Sequence, residues 1–413
     1  MSDVEVTSTG RVTGTGLPEF AAPRRADSIA ARFDPRHNSV NALRLALAAL
    51  VLLSHSLTMS GGTDPLGDLT GGIVDMGTVA VDGFFALSGF LIARSAVSSP
   101  TTGRFLWRRA LRILPGFWAC LVVTVAVFLP LAQVLRYGTL AGFPLTGSDS
   151  AVGYLLSNAA LYIDQFTVRG LFDGRPVNGS LYTLFYEFAC YLGVAVIGAL
   201  GLIRRRRGAM VVVGALLMGA AVVDLLSAGI VTGDGDVRWL FLRLGSMFVA
   251  GVLAYQWADR IPLRGRGALA AVVLLAGALA AAAFFGRDPQ SRAAYLVLAP
   301  AAVAYVILFV GAATGLHRVG SRRDVSYGLY IYAWPVQMTL LLLGAADWPL
   351  AVFVLAATSI SLGLALVSWT AVEAPALALK SWTPRWWRAS GAGDDGPTPP
   401  GARRRVSSRR ALD

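Results

Sequence analysis

The chain has 413 residues, of which 55% are hydrophobic and only 15% charged, with a mean hydropathy of +0.60. That charged fraction lies well below the ~25% of soluble domains, which excludes an ordinary soluble enzyme. Two cysteines, Cys120 and Cys190, both in apolar stretches, and only three histidines exclude a disulfide framework and a zinc-type metal site.

In chain order, residues 1–37 read as a polar cytoplasmic segment without the continuous apolar run of a cleaved signal peptide. Ten spans of about 20 residues follow, with expected limits 42–58, 72–94, 112–134, 180–202, 208–231, 238–257, 267–284, 293–313, 326–345 and 348–372. The expectation is an all-α, polytopic membrane helical bundle over residues 38–380. A basic, disordered cytoplasmic tail is expected over 381–413.

Charge placement tests this map. With both termini in the cytoplasm, 29 of the 36 Lys and Arg fall on the inner side. The others are Arg136, Arg169, Arg175, Arg238, Arg243, Arg287 and Arg292, placed outside or at outer helix ends. The net charge of +12 is therefore topogenic, with Arg204–Arg207, Arg403–Arg405 and Arg409–Arg410 facing anionic lipid, and no nucleic-acid partner is implied. One connection is long: residues 135–179, expected outside, contain AVGYLLSNAALYI, too short to span and read as interfacial or re-entrant.

The first span, NALRLALAALVLLSHSL, carries Arg44 and His55 eleven residues apart. Eleven steps of 100° return to within about 20° of the start, so both share a helix face, separated by roughly 16 Å of rise. An ionisable group inside an apolar span usually marks a site. Arg44 reads equally well as a snorkelling residue at the inner helix end, and His55 also has a structural, hydrogen-bonded reading.

Asp82 falls near the middle of the second span and needs a partner or a wet cavity there; His55 or an arginine is the natural candidate. Gly83, Ser88 and Gly89 beside it read first as close-packing positions. Arg108, Arg109 and Arg112 cluster on one helix face at the cytoplasmic side. Arg108 reads as topogenic, whereas Arg109 and Arg112, flanking the expected helix start near Pro115, form a guanidinium pair suited to phosphate.

The fourth span, NGSLYTLFYEFACYL, places Glu187 about 10 Å in from Ser180, at a depth His55 could share. Tyr182 and Tyr186 fit an interfacial belt as well as a cavity. The ninth, SYGLYIYAWPVQM, holds Tyr327, Tyr330, Tyr332, Pro335 and Gln337. Glu373 reads as a solvated charge at an inner helix end.

These segments, in order, resemble the acyltransferase-3 family of integral-membrane O-acyltransferases. The resemblance rests on the Arg44–His55 pair, GFFALSGFL at 83–91, Arg109 and Arg112 within RRALRILP, NGSLYTLFYEF at 178–188, SYGLYIYAWP at 326–335 and VEAP at 372–375. It covers residues 36–380. It implies transfer of an acyl group, commonly acetyl, from cytoplasmic acyl-CoA to a hydroxyl of an envelope carbohydrate or other acceptor by a multi-pass protein of the inner or plasma membrane. No bound cofactor is implied; acyl-CoA is the donor substrate. Membrane lipid and the hydroxyl acceptor are the other partners.

By the same resemblance His55 is the essential histidine, and Arg44, Arg109 and Arg112 are the essential basic residues that hold acyl-CoA. CoA's phosphates and thioester are joined by an arm of some 15–20 Å, comparable with the Arg44–His55 rise. His55 would then be general base on the acceptor, oriented by Glu187 or Asp82. Ser88, Tyr182, Tyr327 and Tyr330 are candidate cavity or acceptor positions. Two departures stand out: Ala333 occupies a position where many relatives have histidine, and no fused hydrolase-like domain follows the bundle. A multi-span transporter or exporter is the competing class, disfavoured by the clustering of arginines at one leaflet and by the lack of paired broken helices.

Overall fold

The computed structural model describes residues 25–202, 207–227, 237–285, 289–321 and 323–382, and these are all-α apart from one isolated bridge, Ser28 to Pro262. The polar N-terminal segment begins before them and the basic tail lies almost wholly beyond them. A short helix α1 (Ile29–Arg32) precedes α2 (Val40–Met59), α3 (Met76–Ser98) and α4, which runs Thr102–Tyr137 through a π-turn at Thr124–Phe128. After α5 (Ala151–Asn158) come α6 (Tyr182–Ala199), α7 (Arg207–Ser227), α8 (Val237–Gln256), α9 (Gly265–Phe285) and α10 (Pro289–Gly311). Helix α11 (Ser326–Leu342) and α12 (Leu350–Ser368) complete the bundle, α12 continuing through a second π-turn at Trp369–Glu373.

Eight of these helices are long and apolar enough to cross a membrane. Helices α7 and α11 answer to the other two expected spans, α7 with a shorter apolar stretch, Met210–Ala220, and α11 with 17 residues. The outer surface carries large apolar side chains such as Val196, Leu216, Leu269, Val273, Phe284 and Leu355. A face of that kind is stable against lipid and unstable against water.

Helix α4 begins ten residues earlier than its apolar stretch suggested. Thr101 caps it, its hydroxyl accepting from Arg104 N at 3.2 Å, so Arg109 and Arg112 lie within the helix and Pro115 in its interior rather than at its start. Span limits drawn from hydropathy stop at the arginines, whereas the helix continues through them with its charges turned to one side.

The closest helix crossing joins α3 to α8. A Cβ on Gly89 would stand 1.9 Å from the Phe248 carbonyl oxygen, and one on Gly251 1.9 Å from that of Ala86. Only glycine permits that backbone approach, the device of small residues at membrane helix interfaces. The described part of the N-terminal segment is docked: Ile29 N and Ala30 N donate to the carbonyls of Ile261 (2.9 Å) and Ala258 (2.8 Å), and Ile29 is buried. The AVGYLLSNAALYI stretch forms only the two-turn α5, with Ala151 and Tyr154 buried, and does not span.

Candidate active site

A cavity of about 100 Å³ lies where α2, α3, α4, α6 and α11 converge. Its lining on α3 runs from Val81 to Ile92, eleven helical steps and roughly 16 Å of rise. Arg44, Arg109 and Arg112 line one end; Val81, Phe84, Thr183 and Tyr330 line the walls beyond them. Arg44 thus shares one enclosure with Arg109 and Arg112, which lie sixty-odd residues later in the chain.

They are organised by Asp324, which precedes α11. Arg44 Nη1 donates to its Oδ2 at 2.8 Å, Arg112 donates to the same oxygen, and Ser326 Oγ donates to Oδ1 at 2.5 Å. Burial would raise the Asp324 carboxyl, but the two guanidinium groups outweigh it and hold the group well below the ordinary carboxylate range. The Arg112 guanidinium also lies over the rings of Tyr327 and Trp369, at 5.9 and 6.0 Å. Arg109 is less engaged, with Nη2 3.5 Å from Ser95 Oγ and a buried Nε that has no partner among the described residues. Two arginines tied to one carboxylate beside a third that is nearly free leave net positive charge, which suits a phosphate.

Midway, Glu187 Oε1 accepts from Ser88 Oγ at 3.0 Å and from the Tyr191 hydroxyl. The Tyr327 hydroxyl donates to Ile113 O at 2.8 Å, and Tyr330 pairs with Thr183 Oγ1 at 2.7 Å. Ser88, Tyr327 and Tyr330 therefore line the cavity; Tyr182 does not, and its ring packs on Tyr186 at 6.4 Å.

His55 lies past the end of this cavity opposite the arginines rather than on its wall. Its neighbour Ser54 packs at the level of Gly77, a turn beyond Val81. The imidazole meets Trp334 edge-on, with ring centroids 4.7 Å apart and planes at 78°. Its Nδ1 is buried without a hydrogen-bond partner among the described residues.

Neither expected carboxylate orients it. Asp82, fully buried, pairs with Arg243 at 3.1 Å and accepts from Tyr295 at 2.8 Å, while Glu187 is held by Ser88 and Tyr191. The arginine alternative for Asp82 is the one realised. Arg243, placed among the outer helix-end charges by the charge count, lies inside α8 as its partner. Glu373 is also not a solvated helix-end charge. It is buried on the π-turn, accepts from Ser368 Oγ at 3.1 Å, and packs where a Cβ on Gly116 would fall.

Asp324, Arg243, Tyr295 and Trp334 were not among the residues singled out for a role. Arg243 carried a readable signal, as a charge six residues into an apolar helix. Asp324 sits in a basic loop, where one acid resembles surface charge.

A model of the acyltransferase domain that defines the acyltransferase-3 family matches residues 37–370. The chain belongs to the acyltransferase-3 family. The family assignment and the helices together make it a multi-pass membrane O-acyltransferase. An O-acetyl transferase of Shigella phage Sf6 is 29% identical over 313 residues, covering 74% of this chain and 86% of the relative. Nodulation protein 10 of Rhizobium leguminosarum bv. viciae is 27% identical over 362 residues, 83% of this chain and 94% of the relative. No solved structure matches the chain. Within the family match fall every cavity residue named above, His55 and Asp324; Glu373 lies just past its end.

Proposed function

We propose that this acyltransferase moves an acetyl group from cytoplasmic acetyl-CoA to a hydroxyl of an envelope carbohydrate, with His55 as general base. One observation carries the reading: three arginines and one imidazole lie toward opposite ends of a single line through the bundle. The cavity between them runs about 16 Å along α3, the scale of the arm joining CoA's phosphates to its thioester. Both termini then lie in the cytoplasm, and the arginines face the compartment that holds the donor. The Sf6 relative's name supports acetyl as the group transferred.

In this scheme Arg109, with Arg44 and Arg112 beside it, grips the phosphates. The pantetheine arm threads between Phe84, Ser88 and Tyr330 toward His55. The acceptor oxygen attacks the thioester carbonyl as the imidazole takes its proton; the C–S bond breaks, the acyl oxygen ester forms, and the thiolate is protonated on leaving. Imidazole is the side chain most often used for such proton exchange. Neither Asp82 nor Glu187 is given the orienting task, because both are engaged elsewhere.

The test is thiol release from acetyl-CoA by purified protein in lipid, with extracted envelope glycan as acceptor. His55→Ala should lower acceptor-dependent release roughly 10²–10⁴-fold, with CoA binding retained. Normal turnover in a well-folded His55→Ala protein would remove His55 from the chemistry.

A further inference from the structure

The orientation of His55 needs a physical source, and α11 supplies one. Pro335 has no N–H, so the carbonyl of Ile331, four residues earlier, loses its helical donor. Asn178 Nδ2 takes that place, donating to Ile331 O at 2.8 Å, while its own Oδ1 accepts from Ser180 N at 3.1 Å. The next residue, Gly179, lies flush against the Trp334 indole: a Cβ there would stand 2.6–2.8 Å from three ring carbons. The indole Nε1 donates to the carbonyl of Pro176 at 2.9 Å. Residues 176–179 thus form a seat shaped for one indole.

That indole presses on His55 at 4.7 Å. One turn on, the buried Gln337 Nε2 donates to Leu52 O at 2.8 Å and to Ser56 Oγ at 2.7 Å, clamping α2 on both sides of the histidine. The imidazole is therefore confined by packing and by its helix, with Nδ1 left unbonded.

We infer that Trp334 is a positioning residue for the transfer reaction, held by the Asn178-Gly179 seat, and that its packing sets the plane of the His55 imidazole, which bonds neither Asp82 nor Glu187. A carboxylate partner would occupy one ring nitrogen and fix the tautomer. Aromatic confinement fixes the ring plane without taking up a ring nitrogen in a charge-assisted bond. The inference rests on His55 being the base.

The experiment compares Trp334→Ala, Trp334→Phe, Gly179→Ala, His55→Ala and the His55→Ala/Trp334→Ala double variant, each full-length and in lipid. The readouts are kcat and KM for acetyl-CoA with extracted envelope glycan, and binding of CoA alone. Trp334→Ala and Gly179→Ala should lower kcat roughly 10–100-fold, as for a misplaced catalytic group, with KM and CoA binding within about twofold of wild type. Trp334→Phe should recover most of the loss. Residues acting as one unit are non-additive, so the double variant should be no worse than His55→Ala. If Trp334→Ala costs the same factor in the His55→Ala background, or lowers CoA affinity as much as kcat, the positioning role is overturned. Full activity in His55→Ala would overturn the base itself, a separate outcome read from that variant alone.

Discussion

At the scale of single residues, the group with the widest reach is Asp324. It joins Arg44 on α2 to Arg112 on α4 and is bonded to Ser326 at the start of α11. Asp324→Asn keeps the shape but leaves two nearby guanidinium groups without their counter-charge. It should destabilise the protein by about 3 kcal/mol, the range for breaking a largely buried pair, and raise KM for acetyl-CoA more than it lowers kcat. The pH dependence has a definite sign. A carboxyl held below its unfolded value contributes stability that is full above about pH 4 and is lost as pH falls below that value. The melting temperature of wild type should therefore fall more steeply than that of Asp324→Asn on going from pH 6 to pH 3. Parallel melting curves across that range would sink the assignment.

At the scale of helices, α3 is fastened to its neighbours by two different devices. One is the glycine crossing with α8. Gly89→Ala or Gly251→Ala drives a methyl into a carbonyl oxygen, and each should cost about 3 kcal/mol, the upper end for overpacking, visible as a lowered melting temperature in detergent. The other is the Asp82–Arg243 pair with Tyr295. Asp82→Leu or Arg243→Met alone strands a buried charge and should cost about 3–5 kcal/mol, whereas the double replacement should recover most of that. A double variant that is stable yet inactive would instead restore a chemical role to Asp82. Of these features the sequence carried Gly89 as a close-packing position and the unpaired look of Asp82. It did not carry the choice of partner, because Asp82 and Arg243 meet only through the packing of α3 on α8.

At the scale of the whole molecule, the proposed scheme puts the arginines at one leaflet and the histidine toward the other, so it depends on orientation. Cys120 is fully buried and Cys190 half-buried. Single cysteines placed at exposed sites in a background lacking both should therefore report sidedness cleanly. A cysteine at Ser157, on α5, should react with a membrane-impermeant reagent from outside intact cells, and one at Arg318 only after lysis. The reverse pattern would turn the bundle over and put the arginines on the wrong side for cytoplasmic CoA. At this scale the membrane-spanning helices and the motif series were legible in the sequence, since both derive from local composition. The exceptions were local too: α4 extends through its arginines, and residues 27–30 dock on the bundle through backbone bonds that hydropathy does not register.

The sequence alone determined an all-α membrane chain, the face shared by Arg44 and His55, and its family, because helix periodicity, hydropathy and motif order are properties of neighbouring residues. Only the tertiary structure decided that Asp324 gathers the arginines, that Asp82 belongs to Arg243, that Glu373 is buried, and that Trp334 rather than Asp82 or Glu187 meets His55. Inside a low-dielectric bundle a charge takes whichever partner packing brings within about 3 Å, and that distance is set between helices far apart in the chain.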